Sequence, residues 1–303
     1  MEVKDGENSQ YKDSVFVDLF CDDIKGKENF LSLYNALHGT SLTMEEADIE
    51  PMKLEKVLYH KFYNDVSMRV GNRIIVLFEH QSTINMNMPL RCLIYVARLY
   101  EKMTDSKVRF ATMQQPLAVP EFYVFYNGQD NVPLESELKL SDAFRAQDKD
   151  ELKKLGADIQ DFALELKVKV FNINEIGAID KIKSCKPLCD YVELVNIVRS
   201  HKESGRVDYM ESAIKEAIDK GILADYLTRK GSEVVNMLFA EYDYDTDIAV
   251  QRAEALQQGM RRGMVQMQIE NAKNLLKMKL LSHEQIAEGT GLSLEEVIKL
   301  SQG

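Results

Sequence analysis

The 303-residue chain has little cysteine, little positive charge and no long apolar run. Its four cysteines, Cys21, Cys92, Cys185 and Cys189, show no C-x-x-C spacing and no pairing pattern. That argues against a disulfide framework and suits a reducing, cytoplasmic setting. Cys185 and Cys189 stand four apart on an expected helix with no histidine near them in sequence, so buried thiols are read there rather than a zinc site. No apolar stretch is long enough to span a bilayer, so no membrane role is expected. The first ten residues are polar and acidic, unlike a signal peptide. Lysine and arginine number 38 against 49 acids, a net charge of −11. This counts against a broad basic face for nucleic acid, although a local patch decides binding and a site that holds a cation carries acids in any case.

What remains is an ordinary globular composition, 45% hydrophobic and 29% charged, with no internal repeat and no low-complexity tract. The expected organisation is a disordered tail over 1–10, a strand-bearing domain over 11–175, a helical extension over 176–245 and a long helix with a short helical tail over 246–303. A helix is expected over 12–20, with Asp13 at its N-cap or in its first turn, and another over 27–38, ended by Gly39. An acidic connector with Pro51 follows over 40–53. Strands are expected over 56–59, 62–70, 73–79, 122–126 and 162–170, with polar, irregular chain over 129–160. A helix over 88–103 carries Pro89 in its first turn and is read with Leu90, Leu93, Ile94, Ala97 and Tyr100 inward. After Asn174 the apolar spacing is helical: 187–200, 207–219, 232–239, and a long Met-rich helix over 245–281 interrupted by Gly259 and Gly263. Two capping boxes, Ser282 with Gln285 and Ser293 with Glu296, open two short helices in the outline of a helix-turn-helix. The fold class is therefore mixed α/β, a sheet flanked by helices and followed by an all-helical C-terminal region.

The stretch from Asn64 to Tyr100 carries the chemistry. Ile74, Ile75, Val76, Leu77 and Phe78 are apolar on both faces, as in a central strand covered on both sides. Glu79 ends that run, Gln81 follows it, and Asp65 lies on the preceding strand. A carboxylate there costs free energy unless something compensates it, and a divalent cation shared by Asp65 and Glu79 would do so. The plain alternative is a pair of half-exposed strand-end acids. Alternation puts Glu79 and Gln81 on one face and His80 on the other, where His80 is read as structural. A two-residue Gly71-Asn72 loop with Val70 opposite Arg73 would place Asp65 on the face away from Glu79 and count against a shared site. An odd loop or a bulge is expected instead.

The order helix, strand with Asp, strand ending Glu-x-Gln, helix, strand resembles the restriction-endonuclease-like PD-(D/E)XK nuclease core. More closely, Leu77-Phe78-Glu79-His80-Gln81-Ser82 and the following Asn87-Met88-Pro89-Leu90-Arg91-Cys92-Leu93-Ile94-Tyr95 are similar to the recombination-promoting nuclease (Rpn) family, also labelled transposases. Lys12 to Phe16, Phe122 to Gly128, Val168 to Asn174 and Gly231 to Leu238 extend the likeness over roughly 11–300. The resemblance implies a Mg²⁺-dependent DNA endonuclease, with Ca²⁺ or Mn²⁺ as substitutes, that has little sequence specificity and promotes recombination. It assigns Asp65 and Glu79 to the metal, Gln81 to the place of the superfamily's usual lysine, and Asp13 to an acid supplied by the first helix. Glutamine cannot carry lysine's charge. Either the metal alone activates the water, or another cation such as Arg91 compensates, or the enzyme is slow.

The last short helix, Leu294 to Leu300, has two acids and one lysine, which suits packing or assembly of copies better than base readout. Arg252, Arg261, Arg262, Lys273, Lys277 and Lys279 on the long helix are better candidates for contact with DNA. A rival reading takes the chain as a catalytically weak or inactive nuclease fold that serves as an interaction and assembly module.

Overall fold

The computed structural model describes residues 14–52, 65–80, 84–105, 107, 110–128, 130–144, 163–205 and 208–301; Asp65, Glu79, His80, residues 241–259, Arg261, Arg262 and Val265 are described by backbone alone. The expected tail over 1–10, Asp13, the strand over 56–59 and Gln81 lie outside the described residues. The chain divides into two compact units, 1–241 and 242–303.

In the first unit a mixed sheet is flanked by helices. Its strands are β1 (Ile49–Pro51), β2 (Asp65–Val70), β3 (Arg73–His80), β4 (Val119–Tyr126), β5 (Glu135–Lys139) and β6 (Lys167–Asn172), in the order β1-β2-β3-β4-β6-β5. β1, β2 and β3 pair antiparallel, β4 lies parallel to β3, β6 parallel to β4, and β5 closes the far edge antiparallel to β6. β1 falls within the expected acidic connector. It is an edge strand in which Ile49 is buried and Pro51 ends the pairing, where a missing N–H costs little. β5 buries Leu138 and otherwise shows polar residues, so it gives no alternation signal.

Helix α1 (Val15–Val17) runs on as a π-helical turn, Asp18–Asp22. Its cap is Ser14, whose hydroxyl accepts from the Val17 N–H, in place of the expected Asp13. α2 (Gly26–His38) ends at Gly39 with φ 64, and the short α3 (Met44–Ala47) follows with a capping box at Thr43. α4 (Met88–Met103) joins β3 to β4 as a crossover, as parallel neighbours require. Of the expected inward face, Tyr100 packs on this core, but the rest of the buried stripe is another one. Met88, Cys92, Tyr95, Val96 and Leu99 are buried against Ile74, Val76 and Phe78, while Leu90 and Ile94 are 45% and 40% exposed. The helix carries two apolar stripes, and the sheet chose the one with Met, Cys, Tyr, Val and Leu.

α5 (Lys186–Glu203), α6 (Tyr209–Asp219) and the 55-residue α7 (Ala224–Met278) complete the helices up to the tail. α7 absorbs both expected segments from 232 onward and is helical through Gly259 and Gly263. Phe16 touches Phe125 and Tyr191, with ring centroids 5.8 and 5.7 Å apart, so α1 and α5 cover the sheet face opposite α4. In the second unit the end of α7 packs on α8 (His283–Thr290) and α9 (Leu294–Ser301) around Ala272, Ile286, Leu292 and Val297. Both expected capping boxes form, and Gly291 closes α8 with φ 75. No helix among the described residues is long and apolar enough to cross a membrane.

Candidate active site

β3, β4 and β6 are parallel and end side by side, with His80 opposite Tyr126 and Tyr126 opposite Asn172. Ligands of open α/β sheets bind outside such carboxyl ends. Ile74 to Phe78 are at most 3% exposed, and Glu79 follows them directly, opposite Phe125. Its row also contains Leu77 and Phe125, the face covered by α1 and α5. His80 lies in the other row, as alternation requires.

The hairpin departs from expectation. Val70 pairs with Arg73, and the pairing is regular back to Asp65 opposite Phe78, so the loop is Gly71-Asn72 and no bulge intervenes over these residues. The cause is local. Gly71 takes φ 53 while Asn72 does not turn positive, the Gly-first arrangement of a II′ turn, whose twist matches that of the flanking strands. Asp65 therefore falls in the row of Val76 and Phe78, on the α4 face, and Glu79 in the row facing α5. The two carboxylates suit a hard cation in kind. The described register places them in opposite rows of the sheet. Arg91, half-buried, lies in the first turn of α4, the helix packed on that face.

The residues beyond β4 and β6 form a polar network that the sequence reading did not find. The Arg199 guanidinium of α5 donates to the Asn127 main-chain oxygen, to Asn127 Oδ1 at 3.3 Å and to Asn174 Oδ1 at 3.2 Å. Asn174 Nδ2 donates to the Gly128 oxygen at 2.8 Å and to Asn172 Oδ1 at 2.9 Å. Asn127 has no exposed surface, and its Nδ2 has no hydrogen-bond partner. The available signal was the pair of asparagines just past two buried strands; Asn127 reads from sequence simply as the start of a turn.

A second constellation sits at the opposite, amino edge. His38 Nε2 lies 2.8 Å from Glu121 Oε2, Tyr123 Oη donates to the same oxygen at 2.6 Å, and Arg73 pairs with Oε1. Burial pushes the Glu121 pKa up, but hydrogen bonds from His38 and Tyr123, the His38 charge and the Arg73 hydrogen bond outweigh it and bring the pKa to about 2. A carboxylate so firmly ionised, with its oxygens engaged, is a poor base near neutral pH, and the cluster is a clamp between α2, β3 and β4. A cleft of about 670 Å³ between the outer face of α4 and residues 111–117 is also at this amino edge, away from Glu79.

Among the other expected residues, Lys273 and Lys277 are exposed on α7, one turn apart, with Arg261 and Arg262 earlier on the same helix. Cys185 is buried and its thiol pKa is pushed up to about 11 by that burial, so it stays protonated near neutral pH.

Residues 56–184 match a family model described as "Putative transposase, YhgA-like". This is the family that the Glu79-His80-Gln81-Ser82 segment resembles, and the match takes in the hairpin, α4, β4, β5 and β6. No curated protein and no solved structure matches the chain significantly.

Proposed function

We propose that this chain cuts DNA in a transposase-like manner, as an endonuclease of little sequence specificity that hydrolyses phosphodiester bonds with Mg²⁺, or with Mn²⁺ or Ca²⁺ as substitutes, and promotes recombination. The observation that carries this reading is the family match, which runs through a central strand that delivers Glu79 to the carboxyl edge of three parallel strands. A divalent cation supplies polarisation of a phosphoryl oxygen and a lowered pKa for a coordinated water. Glu79 is the acid we assign to hold it. Asp65, in the opposite row, shares it only from beyond the strand ends. Gln81 supplies hydrogen bonds without charge. The same reading assigns Arg261, Arg262, Lys273 and Lys277 to the DNA backbone, and self-association to the C-terminal helices.

Nicking of supercoiled plasmid in Mg²⁺ or Mn²⁺ tests the assignment. Wild type should nick, and Glu79→Ala should lower the rate by at least about 100-fold, the scale of losing an essential catalytic group. An equal loss in Asp65→Ala would show both acids at work despite their rows; an unchanged rate there would leave Glu79 as the acid that matters. Equal rates in wild type, in both variants and in EDTA would overturn the reading. The split rows favour one rival, an inactive nuclease fold that acts as an assembly module. Calorimetric titration with Mn²⁺ separates the two, since only the rival expects no Glu79-dependent binding.

A further inference from the structure

Arg199 is a half-buried cation with no counter-ion among the described residues. Its partners are neutral oxygens of Asn127 and Asn174, and among the described residues no carboxylate pairs with it. Elsewhere the same chain holds partly buried cations with acids. Arg229 makes a two-pronged pair with the buried Asp23 at 2.9 and 3.1 Å, and Lys230 reaches the buried Asp18 at 2.8 Å. A clamp built only for stability would follow that pattern, because a charge withdrawn from water is costly unless compensated.

The side chain at 127 sharpens the contrast. Its Oδ1 accepts from Arg199, while its Nδ2 is buried with no partner. A carboxylate of the same shape would lose no hydrogen bond and would neutralise the guanidinium. The amide instead supplies no opposite charge and adds a second donor beside the guanidinium. The three bonds that Arg199 makes use three of a guanidinium's five N–H donors, which leaves two, the Nε–H among them. A planar donor pair of this kind matches the oxygens of a phosphate.

The location fits. Asn127 follows Tyr126 at the end of β4 and continues the row of Phe125, which pairs with Glu79. Strand geometry puts the Glu79 and Asn127 backbones about 8 Å apart, one strand across and two residues along. Arg199 comes from α5, the helix over that same face. Arg91 belongs to α4, the helix over the other.

We propose that Arg199, held by Asn127 and Asn174, binds a backbone phosphate of nucleic acid at the carboxyl edge, and so supplies the positive charge that Gln81 does not. This rests on the DNA-cutting reading above. It makes Arg199 a substrate-binding residue and Asn127 the residue that positions it.

The test is anisotropy of a fluorescein-labelled 20-base-pair duplex titrated with the full chain in EDTA at several salt concentrations, with thermal melts of each variant alongside. Arg199→Gln and Asn127→Asp should each weaken binding about tenfold and flatten the salt dependence by about one counterion. Asn127→Asp should melt at or above the wild-type temperature, since it adds an ion pair, so a loss of binding there cannot be a loss of fold. Arg199→Lys should fall between wild type and Arg199→Gln. Wild-type affinity and salt slope in both Arg199→Gln and Asn127→Asp would overturn the proposal, and so would a lost affinity in Arg199→Gln that Asn127→Asp does not share. Plasmid nicking keeps the two failures apart. Nicking that depends on Glu79, with duplex binding indifferent to Arg199, sinks only this inference. Binding that depends on Arg199 without nicking sinks only the hydrolytic reading. A wild type that neither binds nor nicks sinks both.

Discussion

Glu121 has its oxygens engaged by donors from three side chains on α2, β3 and β4. Its folded-state pKa of about 2 lies below the ordinary value of 4.5. A depressed carboxylate pKa means that its contribution to stability is fully present above the unfolded value and is lost as pH falls through the folded one. Glu121→Gln should therefore melt below wild type at neutral pH, and the gap should close as pH drops from about 4.5 towards 2. Thermal melts of both proteins at pH 7, 4 and 2.5 check this, and a gap that does not depend on pH would contradict it. The same scale separates the two polar edges of the sheet. At the amino edge a carboxylate is saturated with donors and so is structural. At the carboxyl edge a guanidinium is held by amides and keeps donors to spare. Single residues in the sequence carry neither distinction, because His38 and Glu121 lie 83 positions apart and Asn127 and Arg199 72 apart.

At the scale of elements, the Gly71-Asn72 turn decides which acids can meet. Gly71 holds φ 53, and a Cβ added there would touch nothing within 4 Å. Gly71→Ala should thus cost the backbone strain of a positive φ at the first central position of a II′ turn, about 1–3 kcal/mol, without a clash against more distant chain. Urea melts read this directly, and an unchanged midpoint would mean that the turn is not of this kind. Existence and type of elements were largely legible. The central strand announced itself by five apolar residues in a row, α4 by its periodicity after Pro89, and both tail helices by their capping boxes. Two things were not legible. The face of α4 was hidden because two apolar stripes compete and only contact with Ile74, Val76 and Phe78 selects one. The edge strands β1 and β5 were hidden because each buries so little that no alternation appears.

At the scale of the first unit, its chain ends are tied together by buried acids. Asp18 receives the Tyr226 hydroxyl at 2.7 Å and the Lys230 ammonium, and Asp23 receives Arg229, across about 200 residues of chain. Asp23 is almost wholly buried and accepts from Arg229 and from the Lys25 N–H, so Asp23→Ala leaves those donors unmatched, with only Asp225 beside Arg229, and should cost about 2 kcal/mol. Chemical denaturation measures this, and a loss under about 1 kcal/mol, the scale of a surface pair, would contradict it. By itself the sequence determined the mixed α/β class, the run that brings Glu79 to a strand end, the long C-terminal helix and the family resemblance. These rest on local periodicity and a contiguous motif, which a linear chain displays. The tertiary structure alone decided the row of the sheet in which each acid falls and the cation held at Asn127 and Asn174. Row parity depends on one turn's backbone angles, and Arg199 reaches the carboxyl edge only because α5 packs over that face.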